Sequence, residues 1–394
     1  MSNTQKKNVP ELRFPGFEGE WEEKSISSFL KESKIKGSNG SHAKKLTVKL
    51  WGKGVVPKKE TFKGSDNTQY YKRKAGQLMY GKLDFLNCAF GIVPDSLNNY
   101  ESTIDSPSFD FINGDSKFLL ERIKLKSFYK KFGDIANGSR KAKRINQDTF
   151  LSLPVFAPKY DEQLRIGEFF SKLDRQIELQ KQKLELLQQQ KKGYMQKIFS
   201  QELRFKDENG EDYPHWENSK IEKYLKERNE RSDKGQMLSV TINSGIIKFS
   251  ELDRKDNSSK NKSNYKVVRK NDIAYNSMRM WQGASGKSNY NGIVSPEYTV
   301  LYPTQNTSSL FIGYKFKTHR MIHKFKINSQ GLTSDTWNLK YKQLKNINID
   351  IPVLEEQEKI GDFFKKMDIL ISKQKIKIEI LEKEKQSFLQ KMFL

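Results

Sequence analysis

The chain has 394 residues, room for two globular domains with extended elements between them. Its 72 Lys and Arg outweigh 48 Asp and Glu, a formal net charge of +24 that attracts a polyanion and makes nucleic acid the first partner to consider. The single cysteine, Cys88, excludes an intrachain disulfide framework and a cysteine-based zinc cluster. No metal site is expected. The first twenty residues lack the apolar stretch of a signal peptide, and no later run approaches the roughly 18 apolar residues of a membrane span, so no membrane partner and a cytoplasmic location are expected.

In chain order, Glu11-Leu12-Arg13-Phe14 leads to Trp21 and Ile26 and opens a first globular domain over residues 1–158. Its β-like runs are Gly76 to Tyr80 and Ser108 to Phe111, and Phe118 to Phe132 has helical character. Two basic stretches suit phosphates: Lys72-Arg73-Lys74 with Tyr80-Gly81-Lys82, and Gly138-Ser139-Arg140-Lys141-Ala142-Lys143-Arg144. The alternative for both is a solvated charge run in a chain rich in lysine throughout. Residues 159–200 follow as one long helix, in which Ile166, Phe170, Leu173, Ile177, Gln180, Leu184 and Leu187 keep the 4,3 spacing of a coiled coil through Lys191, Tyr194 and Ile198.

A second domain, 201–352, repeats the opening as Glu202-Leu203-Arg204-Phe205, then Trp216 and Ile221. It carries β-like runs at Val267 to Val268 and Tyr298 to Tyr302 and a helical stretch from Leu310 to Phe325. Asn276, Arg279, Met280, Trp281 and Gln282 cluster among turn residues, and Arg on guanine or Asn and Gln on adenine are the favoured base contacts. Gly283 to Ser288, GASGKS, ends like a phosphate-binding loop, but Trp281 stands where the first glycine is needed; Lys287 is kept as a DNA-facing candidate. Gly331-Leu332-Thr333-Ser334 is the counterpart of the Gly138 turn, with Ser334 a candidate phosphate contact and Trp337 either part of it or a core anchor. His319 and His323 have Arg320 where a zinc protease has glutamate. Residues 353–394 form the second long helix, with Ile360, Phe364, Met367, Ile371, Gln374, Ile378 and Leu381 in the stripe, followed by Lys385, Phe388 and Met392.

Glu162 to Phe199 aligns without gaps on Glu356 to Phe393, with roughly 18 identities in 38 positions. The chain is therefore two copies of one domain-plus-helix unit. The fold class is α+β (mixed α/β): two similar globular domains separated by two long helices paired as an antiparallel coiled coil, with pseudo-two-fold symmetry. Gln180 and Gln374, at the helix midpoints, would meet and enforce register, although this match alone does not give direction.

Pro158 with Glu162-Gln163, and Pro352 with Glu356-Gln357, each ahead of a heptad helix and after an entry segment ending in Trp21 or Trp216, resemble the specificity subunits of type I restriction-modification systems over the whole chain. The resemblance implies two target-recognition domains, each reading one half of a bipartite, asymmetric site in double-stranded DNA. It implies helices that set the spacer and dock two methyltransferase subunits, with restriction nuclease-translocase subunits joining. No cofactor is expected in this chain; S-adenosylmethionine, ATP and Mg would belong to the partners. An adenine-methylase Asn-Pro-Pro-Tyr motif and a clear methyl-donor loop are absent from the sequence, in keeping with a non-catalytic subunit.

Overall fold

The computed structural model describes residues 8–59, 65–134, 144–253 and 261–393; the candidates Arg140, Lys141 and Lys143 lie outside the described residues. The described helices, in chain order, are α1 (Ser116–Lys124), α2 (Lys126–Gly133), α3 (Gln147–Ser152), α4 (Tyr160–Phe199), α5 (Ser309–Lys315), α6 (His319–Asn328), α7 (Tyr341–Leu344) and α8 (Leu354–Met392). Two compact units share the chain, one of Met1–Lys181 with Ile376–Leu394, the other of Gln182–Lys375. Each long helix contributes to both.

In the first unit, strand Glu22–Ser25 pairs antiparallel with Pro154–Ala157 and closes the globular part just ahead of α4. A four-stranded antiparallel sheet runs in the order Leu30–Ser33, Ser108–Phe111, Leu78–Tyr80, Phe90–Ile92. Its strand Leu78–Tyr80 is apolar throughout because both faces are covered. Leu78 and Tyr80 enter an aromatic core with Phe85, Phe109, Phe118 and Phe150, while Met79 faces a smaller cluster of Leu46, Val55 and Val93. Each buried phenylalanine contributes roughly 2 kcal/mol of transfer free energy. The Tyr80 hydroxyl donates to the Ile145 carbonyl at 2.9 Å, so its polar tip is satisfied inside the core.

The second unit repeats this plan. Strand Glu217–Lys220 pairs with Asn348–Ile351 ahead of α8, and the sheet order is Leu225–Glu227, Tyr298–Pro303, Ile273–Asn276, Ser285–Lys287. Ile273 and Tyr275 enter the main core and Ala274 faces Leu238, Val240 and Ile246. A hairpin of Leu238–Thr241 and Gly245–Lys248 matches Leu46–Val48 and Val55–Pro57 of the first unit. Each helical stretch expected here, Phe118 to Phe132 and Leu310 to Phe325, is two helices. Leu125 turns extended between α1 and α2, and the Thr318 hydroxyl accepts from the Met321 amide to start α6 anew.

Within each unit α4 and α8 run antiparallel. Ile166 and Phe170 of α4 share the first core with Met392 and Phe393 at the end of α8, and Leu173 and Ile177 pack with Leu381. In the second unit Ile360, Phe364 and Met367 of α8 share the core with Ile198 and Phe199 at the end of α4. Ile371, Gln374 and Ile378 are buried, and Leu184 and Leu187 half-buried. The heptad stripe therefore has two tasks: its two ends complete domain cores, and only the turns between them form the helix seam. Two lysines in the stripe pin the pairing. Lys385 meets Asp174 at 2.7 Å and Glu121 of α1 at 3.3 Å. Lys191 meets Asp368 at 2.6 Å, and Asp368 also accepts from the Tyr314 hydroxyl of α5 at 2.7 Å. Gln180 belongs to the first unit and Gln374 to the second.

Candidate nucleic-acid interface

One junction between entry segment, domain helix and long helix is built twice. Glu162, in the first turn of α4, accepts from Arg13 Nε and Nη2, both at 2.6 Å, while Gln163 bridges the Asp115 amide and the Pro158 carbonyl. Glu356 takes Arg204 Nε at 3.1 Å and Nη2 at 2.6 Å, and Gln357 bridges the Ser308 amide and the Pro352 carbonyl. Such forked pairs fix angle as well as distance. Asp115 and Ser308 are the N-caps of α1 and α5, so each glutamine ties the start of a domain helix to the start of a long helix.

In the second unit the segment after strand Ile273–Asn276 turns outward through Arg279 and Trp281. Trp281 meets Trp337 edge to face, centroids 5.2 Å apart, and the Lys326 ammonium lies 5.6 Å from the Trp337 ring. The fold thus joins two separately expected segments, Asn276 to Gln282 and Gly331 to Trp337, into one face. Arg279 is exposed, Gln282 half-buried, and Ser334 exposed beside a fully exposed Leu332. Gly331 must be glycine: its φ is +144°, and a Cβ would sit 2.6 Å from the Thr336 carbonyl oxygen. The Asn276 side-chain oxygen already accepts from the Met278 amide at 3.0 Å. That contact takes one of the oxygen's two acceptor positions, and a bidentate adenine pairing would use the other.

The corresponding part of the first unit carries different chemistry. Lys82 donates its amide to the Asp105 carbonyl at 2.9 Å and accepts the Ile145 amide at 3.2 Å, and Arg144 lies 3.7 Å from the Asp105 carboxylate. Burial pushes the Lys82 pKa down, only partly offset by Asp105 and Glu32. Lys72 and Lys74 are exposed on either side of Arg73.

Arg73 is a correction. Only 2% exposed, it donates to Ser102 Oγ at 2.7 Å, Ser108 Oγ at 3.0 Å and the carbonyls of Ser33, Thr103 and Ser106. Burial without a carboxylate partner pushes its pKa down to about 10. It braces the sheet from inside and does not reach a phosphate.

The pattern described as the type I restriction modification DNA specificity domain matches residues 108–189 and 197–382. The chain belongs to this family. A crystal structure described as the type I restriction-modification system S subunit from M. genitalium is similar to this specificity chain over 98% of its length and 99% of that chain, with 14% identity and a TM-score of 0.60. The HsdS subunit from Thermoanaerobacter tengcongensis aligns over 97% of both chains at 14% identity and a TM-score of 0.48. A chain from a study of complex assembly and conformational transition of the type I R-M system aligns over 98% and 99% at 13% identity and a TM-score of 0.49. No curated protein matched in sequence. At such identities the first likeness shows the fold alone, while the matched pattern carries the family.

Two other segments of the specificity chain stand as their residues suggested. Within Gly283 to Ser288, Ser285–Lys287 is a strand paired with Ile273–Asn276, and Gly286 packs on Gly245, so this segment is sheet and not a phosphate loop. Lys287 is half-buried and bonds Asn289 at 2.9 Å. His319 and His323 stand exposed on α6. Sequence reasoning missed Trp51, which is 58% exposed at the tip of its hairpin with φ +61°. The signal was present in Leu50-Trp51-Gly52-Lys53-Gly54, a large aromatic inside a glycine turn. No described helix is long and apolar enough to cross a membrane.

Proposed function

We propose that this specificity chain reads an asymmetric two-part site in double-stranded DNA, each unit's globular part taking one half, and performs no chemical step itself. The observation that carries this reading is one scaffold presenting two different faces. The sheet order, strand clasp and glutamate junction repeat, whereas one unit presents an exposed Arg279 beside the half-buried Trp281, Gln282 and Trp337 and the other presents the exposed Lys72, Lys74 and Arg144, with Lys82 buried behind them. Lysines on phosphates supply affinity, and Arg279 and Gln282 are the side chains suited to base edges. Helices of 40 and 39 residues each rise about 60 Å and set the spacer. Two methyltransferase subunits dock on the helices and nuclease-translocase subunits join them. S-adenosylmethionine, ATP and Mg are then bound by those partners, and the complex works in the cytoplasm.

Base-resolution mapping of N6-methyladenine in the native host, with and without the gene, tests this. One asymmetric two-part motif should lose its methylation on deletion; an unchanged map with the methyltransferase expressed would favour a basic scaffold that binds DNA without sequence preference. Arg279→Ala should weaken binding to the native site by about 1–3 kcal/mol and relax discrimination in one half only. Equal loss on unrelated DNA, in titrations at fixed salt, would make Arg279 a phosphate contact.

A further inference from the structure

We propose that the second unit holds a binding site for a small phosphoryl oxyanion, centred on Lys315. The site is independent of the DNA-reading role. Lys315 is 2% exposed yet lines a cavity of about 560 Å³ between the end of α4 and the start of α6. Its ammonium lies 4.7 Å from the centroid of the Trp216 ring and 5.3 Å from that of Phe199, and it has no hydrogen-bond acceptor or ion-pair partner among the described residues. An ammonium so largely shielded, with no protein acceptor and only the cavity to open onto, is unfavourable, and burial pushes the Lys315 pKa down to about 8. A bound oxyanion supplies what is missing.

The surroundings have the same polarity. Lys192, Lys317 and Arg320 line the cavity against one carboxylate, Glu202. Lys317 is already held by the Ile242 and Gly283 carbonyls, and Arg320 reaches Asp350 at 3.1 Å. These attachments leave Lys315 as the buried cation of the cavity without a partner among the described residues, with Lys192 exposed at the rim. The ten-residue helix α6 opens onto the cavity. Its Met321 amide is capped by Thr318, whereas the His319 and Arg320 amides find no backbone or side-chain acceptor among the described residues. Free amides at a helix start favour anions. Met195 and Phe199 form an apolar wall, with space beyond a lone phosphate for an organic group.

The first unit echoes the arrangement. Arg122 stands four residues after Phe118, as Lys315 does after Phe311, and Trp21 and Phe393 flank Phe118 as Trp216 and Phe199 flank Phe311. Arg122 is buried, and its Nε and Nη1 lack acceptors among the described residues. Two diverged domains thus keep an unsatisfied cation at one position.

Calorimetric titration of the full chain with inorganic phosphate and, separately, adenosine monophosphate at constant ionic strength tests the proposal. Saturable binding of either probe is expected, weakened at least tenfold by Lys315→Met and severalfold by Lys192→Ala at the rim. Phosphate binding alone would identify a free ion as the ligand, and tighter binding of the nucleotide a phosphorylated organic molecule. Lys315→Met should stay folded, since it keeps the volume and removes a buried charge; if it does not, Lys192→Ala decides. Absence of binding by the wild type, or unchanged affinity in the folded variants, would overturn the proposal.

Discussion

Glu356→Ala is expected to destabilise the second unit by roughly 3 kcal/mol or more. The carboxylate is fully enclosed and carries three contacts: Arg204 Nε at 3.1 Å, Arg204 Nη2 at 2.6 Å and the Trp216 indole nitrogen at 3.2 Å. Removing it leaves a guanidinium, its side chain only 19% exposed, with the Pro214 carbonyl at 2.8 Å in place of a carboxylate, and an indole N–H with no other acceptor among the described residues. Partial exposure of Arg204 lets water recover some of the loss, so the figure sits at the low end for a broken buried pair. Glu162→Ala should cost less, by about 1 kcal/mol, because the Trp21 indole nitrogen has no acceptor to lose. Denaturant melts of both variants, followed by tryptophan fluorescence, check the order. Equal and negligible effects would show that neither junction stabilises the unit it belongs to.

The long helices were legible because a heptad stripe of forty residues leaves few other readings. The gapless repeat also exposed Glu162, Gln163, Glu356 and Gln357. Their partners were not legible: Arg13 and Arg204 lie far from them in sequence, and no periodicity joins an entry segment to a helix start. Lys191 and Lys385 could be seen as polar members of the stripe, but Asp368 and Asp174 face them only once the helices run antiparallel. Arg73 was misread because three consecutive basic residues look like one charge run. Strand Gln69–Lys72 ends at Lys72, and just past it Arg73 turns inside while Lys74 stays exposed; the serines and threonine of Ser102 to Ser108 were the hint of acceptors waiting for it. The Trp281–Trp337 face needed the chain to fold back across more than fifty residues. Lys315 gave no sign at all, since burial of one lysine among so many has no signature in composition.

Exchange of the globular part of the second unit has the largest functional effect, and the structure indicates where to cut. Strands Glu217–Lys220 and Asn348–Ile351 pair with each other next to α8, and Arg204, Trp216 and Glu356 form the junction, so all of these should stay. Replacing Ile221 through Ile347 with the equivalent segment of another family member keeps the clasp and both helices intact. Lys315 and the Trp281–Trp337 face leave with the exchanged segment. The central claim, that each unit reads its own half, is tested by mapping N6-methyladenine at base resolution for this chimera, expressed with the native methyltransferase partner. The expected result is a motif in which one half is new while the other half and the spacer length stay as they were. A motif changed in both halves would contradict independent reading by the two units.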